Sequence, residues 1–194
     1  MRGKVSYASL LAAAAVFMLA VGCGCEDKSI SEVRAMLREA NAHISEFQEQ
    51  MKDLAGFKDR WNKALSSGAG TADMRNLLAS AQKSIEVALR ELRESEKSLG
   101  AVKGMKISPE MEKYVSMKME ALEEDQKWLE LELLAMPLRF QLIDMSEQGA
   151  TIEEVVSVEQ QISDLEKEAA AHRSKAGALH RDANDYYDEQ KLSR

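Results

Sequence analysis

Three histidines, eleven methionines and two cysteines carry most of the soft or titratable donor atoms in this sequence. Imidazole and thioether ligate copper and haem iron, so their spacing decides whether a metal chemistry is on offer. His43, Ser95, Met117 with Met119, and His172 fall in four separate segments of helical periodicity. If those segments run as antiparallel rods, at 1.5 Å per residue all of them lie roughly 20–25 Å from one end. The arithmetic predicts a layer of His43, Ser95, Met119 and His172 across a bundle, a candidate metal or haem site. A structural role competes with it. His172 is then a core histidine satisfied by Ser95 or by water, and His43 flanks the core in contact with solvent.

Other chemistries lack their residues. There is no phosphate-binding glycine loop, no nucleophile elbow, no H-E-x-x-H, no C-x-x-C-H and no metal-type cysteine pair. A di-iron carboxylate site needs Glu three residues before an inward His. Ala40, Ala169 and Gly177 stand at those positions before His43, His172 and His180. Glu123-Glu124 and Glu153-Glu154 are neighbours in sequence and point about 100° apart on a helix. They are read as solvated faces, not as catalytic dyads. The formal charge of −7 argues against a nucleic-acid partner, which needs a basic face. No residue is assigned covalent chemistry, and an enzyme is not expected. Met105, Met111, Met117 and Met119 cluster at one helix start, where they suit either core filling or a promiscuous apolar surface.

These side chains must be positioned by helices. The chain has 194 residues, 45% hydrophobic and 30% charged but only 5% aromatic, with 2 Pro. That composition disfavours a many-stranded fold and favours long helices. Four apolar seams step by three and four residues. They run Ile30 to Leu65, with Lys58 the one polar member; Met74 to Leu99, with Ser95; Val115 to Ile143; and Val155 to Tyr186. Lys58 is expected to snorkel to the bundle edge while its neighbour Phe57 covers the gap. The expected helices span about 29–65, 72–99, 109–148 and 151–190. Ser108-Pro109 reads as a helix start, and Thr151-Ile152-Glu153-Glu154 as a capping box. Pro137, inside the third segment, predicts a kink or break. Short connections make successive helices antiparallel. The expected fold is all-α: an up-down-up-down four-helix bundle, coiled-coil-like. Two looser hairpins completed by a second chain remain the alternative.

The N-terminus carries an address. Arg2 and Lys4 precede an apolar run from Leu10 to Val21 that is short for a membrane span but fits a secretory signal. Leu19-Ala20-Val21-Gly22-Cys23 resembles the lipobox of bacterial lipoproteins, with Ala20 where leucine is commoner. The resemblance covers the leader alone. It implies a cleaved signal peptide over 1–22, lipid on Cys23, a tether over 23–28 and a helical domain over 29–194. It implies no cofactor beyond that covalent lipid. Gly24 in second place favours an outer membrane if the cell has one. With Cys23 acylated, Cys25 has no intrachain partner.

An even number of rods returns the C-terminus to the tethered end. Asp185-Tyr186-Tyr187-Asp188 should then lie near the membrane, with Tyr187 either at the lipid interface or finishing the bundle end. The 66–71 and 149–150 loops should project away. The expected function is a lipid-anchored, extracytoplasmic helical module of the cell envelope, facing periplasm or exterior. It would serve structure or protein interaction. The expected partners are the membrane and a protein, with a second copy of this chain as a further candidate. A metal- or haem-binding bundle (His43, Met119, His172) and a holdase-like chaperone are the alternatives.

Overall fold

The computed structural model describes residues 28–192, so Cys23 and Cys25 lie outside the described residues. Five α-helices follow in order: α1 Lys28–Ala55, α2 Phe57–Ser67, α3 Thr71–Lys103, α4 Pro109–Gln148 and α5 Ile152–Glu189. Together α1 and α2 form one rod, and the four rods make an all-α helical bundle. Cross-helix pairs fix the directions. Arg75 bonds Asp144 while Glu96 bonds Gln126, so α3 and α4 run antiparallel. Lys118 with Asn184 and Arg139 with Glu166 show the same for α4 and α5.

The helix ends are set by local chemistry. The Ser108 hydroxyl accepts from the Met111 amide at 3.2 Å, and Pro109 takes the first helical position, where its missing N–H costs nothing. Thr151 and Glu154 close a reciprocal capping box. Gly68 and Gly149 end α2 and α4 with φ of 65° and 69°, a left-handed turn that a side chain resists.

Three expectations change. The first rod breaks at Gly56 instead of running unbroken from 29 to 65. Arg60 spans the break and donates to the Asp53 carbonyl at 3.0 Å. Beyond it Phe57 and Trp61 are buried, while Lys58 and Leu65 turn outward. The polar seam position thus marks a rotation of the helix. Second, α3 does not end near residue 99 but continues through Gly100 to Lys103, which lets Val102 reach the core. Third, α4 is one helix through Pro137, with no break. Pro137 is exposed. The Leu133 carbonyl it deprives lies four residues back on that same face, within reach of water. Pro137→Ala should therefore restore a backbone bond without repacking. We expect it to stabilise the bundle by about 1–3 kcal/mol, measured by urea denaturation; a loss of stability would refute this account.

The main core lies along α3 and α4. Leu78, Ile85, Leu92 and Leu99 meet Val115, Leu122, Leu129, Met136 and Ile143, all essentially inaccessible. The outer rods bury narrower stripes at seven-residue spacing. In α1 these are Val33, Ala40 and Phe47; in α5 they are Ile162, Ala169, Ala176 and Ala183. Alanines let α5 lie close against α4. Close packing runs α1 to α3, α3 to α4 and α4 to α5. Between the first rod and α5 no close backbone approach exists among the described residues; long side chains bridge that edge.

Candidate functional site

Two rows run along α4 at seven-residue spacing. One is the apolar core row. The other is charged: Lys118, Asp125, Glu132 and Arg139. Side chains seven apart share a helix face, and this face turns toward α5. Lys118, Asp125 and Arg139 are buried, and Glu132 is half-buried. Each buried charge has found a partner, as burial demands.

At the proximal end Lys118 Nζ donates to Asn184 Oδ1 at 2.8 Å, beside the Tyr114 ring. Tyr114 in turn packs on Tyr187, centroids 4.9 Å apart. About two turns farther along α4, His180 Nε2 lies 2.7 Å from Asp125 Oδ2. At the distal end Arg139 Nη2 donates to Glu166 at 3.0 Å and to Glu132 at 3.4 Å. Its guanidinium lies 5.3 Å from the centre of the Phe57 ring. Glu166 also receives Lys58 Nζ from α2. Among the described residues, Arg139 Nε is buried with no hydrogen-bond partner.

The remaining histidines repeat the pattern. His172 Nδ1 lies 2.6 Å from Glu124 Oε2, between α5 and α4. His43 Nδ1 lies 2.8 Å from Glu91 Oε2, between α1 and α3. All three imidazoles thus meet a buried carboxylate across a helix pair. An ionised carboxylate can only accept, so the facing ring nitrogen must donate. His172, then Lys175 and Lys127, hold Glu124 down to about 2 against the opposing effect of burial. His43 and Arg90 hold Glu91 below the usual carboxylate range. Burial pushes Glu166 up, but Lys58 and Arg139 outweigh it and leave it lowered. Burial pulls Lys118 down to about 8, which Asp125 only partly resists. Tyr114 is pushed up, mainly by burial.

Of the expected layer, His43, Ser95 and His172 keep a common level along the rods, but each is bonded to a neighbouring helix, and Met119 lies elsewhere. Ser95 donates to the Ala40 carbonyl at 3.1 Å, one turn from His43. His172 is satisfied by Glu124 and not by Ser95. The Arg93–Glu130 pair lies near the level of His43 and Glu91. Met119 is then ~16 Å away along α4 at 1.5 Å per residue. A layer including Met119 requires α4 to begin level with the end of α3, and the cross-pairs show α4 beginning well beyond it. The solvated face expected at Glu123-Glu124 holds for Glu123, which is exposed, but not for Glu124, which is buried. Adjacent helical residues point to different faces, and here the face of Glu124 is the one turned toward α5. Among the described residues no three His, Cys, Asp or Glu side chains converge as metal ligands. Met105, Met111, Met117 and Met119 pack partly buried against the core.

Sequence reasoning missed the charged row. The seven-residue spacing of Lys118, Asp125, Glu132 and Arg139 was a usable signal, hidden because seams are sought among apolar residues. The chain matches no known family model, no curated protein and no solved structure. Chemically, the arrangement holds helices by charge and hydrogen bonds.

Proposed function

We propose that this protein is a lipid-anchored helical module of the cell envelope, acting as a spacer or protein-interaction unit. One observation carries the reading: the start of α1 and the end of α5 lie at the same end of the bundle. His43–Glu91 with Ala40–Ser95, Arg75–Asp144 with Glu96–Gln126, and Lys118–Asn184 with Arg139–Glu166 make each successive pair of rods antiparallel. A tether entering at Lys28 therefore comes in at the end where the chain leaves. The 40 residues of α4 make a rod of ~60 Å. The Gly68 and Gly149 turns sit at its far end, with Leu65, Ile152 and Val156 exposed nearby. Tyr187, seated on Tyr114, finishes the bundle end on this reading.

Lipid on Cys23 would give the rod its fixed end. Each buried acyl CH₂ contributes about 0.8 kcal/mol, so several chains hold firmly where one does not. The test compares the full chain with Cys23→Ser in a bacterial host. The wild type should sediment with membranes and show an acylated N-terminal cysteine by mass spectrometry. Cys23→Ser should move to the soluble fraction or keep its leader. A wild-type chain with an intact leader, or one that is soluble without acylation, would sink the reading.

A further inference from the structure

Among the described residues the bundle is two hairpins, one of α1 packed closely on α3, with α2 continuing its rod, and one of α4 with α5. A single helix pair, α3 with α4, joins them backbone to backbone. On the opposite edge α1 and α2 face α5 without close backbone approach. Among the described residues, Lys58 of α2 reaches across that edge to Glu166 of α5. Glu166 is the junction, since Arg139 of α4 grips its other oxygen while resting on Phe57 of α2. Behind this junction lie Phe57 and Trp61, each 6% exposed, ring centroids 6.4 Å apart.

We propose that the bundle opens along the α1/α2–α5 edge, hinged on the α3–α4 seam, with Glu166 as its latch. The physical asymmetry is plain. The hinge side buries two full apolar rows, which salt does not weaken. The latch side relies on ion pairs, and Lys58 is 64% exposed at its side chain, where screening reaches it. Packed hairpins are bistable elements, so losing the latch shifts a population between closed and open without melting helices. Opening presents Phe57 and Trp61 to solvent.

The test is acrylamide quenching of Trp61 in the full chain carrying Trp128→Phe, with far-UV circular dichroism recorded alongside. Glu166→Gln removes the latch charge. It should raise the Trp61 quenching constant about threefold or more while helicity is kept, and ~0.5 M NaCl should do the same to the chain with Glu166 intact. Arg75→Gln, which loses the Asp144 and Glu147 pairs on the hinge side, should leave quenching unchanged. Trp61 equally shielded in Glu166→Gln and in salt overturns the proposal. So does an equal rise in Arg75→Gln. If Glu166→Gln loses its helicity, the salt series on the intact latch decides alone.

Discussion

Replacing Arg139 with alanine should destabilise the bundle by about 3–5 kcal/mol, the range for breaking a buried ion pair from one side. Arg139 is 2% exposed and is the largest side chain buried so completely. Its removal leaves a cavity beside Phe57 and strips Glu166 of one of two cations. Glu132, half-buried, loses its partner as well. The cost is therefore not that of the salt bridge but of the groups left behind. Arg139→Met separates the two. It fills the volume, keeps an apolar contact for Phe57 and leaves Glu166 with Lys58. Buried ion pairs replaced by apolar groups of similar size are often neutral or better, so Arg139→Met should fall within about 1.5 kcal/mol of wild type. Urea denaturation of the three chains checks this. Equal losses in both variants would show that the charge itself is what the site requires.

Raising the pH from about 8 to about 10 should stabilise the protein, which is unusual for an acidic chain. Lys118 is 8% exposed, and burial depresses it to about 8, below its ordinary 10.5. Between those values the unfolded chain keeps the proton and the folded chain releases it. More protons are bound in the unfolded state, so stability rises with pH across this window. The ceiling is about 3 kcal/mol for a shift of this size. Three groups face Lys118: Asp125, whose charge favours the ammonium; Asn184, which accepts its hydrogen bond; and Tyr114, 6.0 Å from ring centre to nitrogen. The tyrosines bound the window from above. Tyr114 and Tyr187 are both raised in the fold. Above about pH 10 the unfolded chain loses its phenol protons first, and stability falls again. Lys118→Met should flatten the curve between pH 8 and 10. Chemical denaturation at pH 7.5 and 9.5 reads the difference; parallel losses in both chains would dismiss the account.

The legible parts of the fold were those governed by neighbours in sequence. Ser108-Pro109 and Thr151 with Glu154 act within four residues, and both caps form as their spacing implies. The apolar seams are equally local in their logic, since period alone selects the face. The bounds of α4 and α5 follow closely for that reason. The break at Gly56 was half visible. Lys58 spoiled an otherwise apolar seam, and a glycine stood two residues before it. Only packing shows that the helix rotates there to bury Phe57 instead.

The candidate site was less legible. Each histidine was correctly placed on a helix, but its partner was not, because Glu91, Glu124 and Asp125 lie far from it in sequence. Whether an acid on a helix meets water or an imidazole depends on the axial offset between rods. That offset is set by how far α4 starts beyond α3, and no local rule gives it.

By itself, then, the sequence determined an all-α chain, its seams and its caps, because backbone hydrogen bonds and side-chain periodicity are short-range. The tertiary structure decided which charges are buried, that Met119 stands apart from the level of His43 and His172, and which carboxylate each histidine meets. Those depend on offset and rotation between rods, where a shift of one turn, about 5.4 Å, exchanges every partner across an interface.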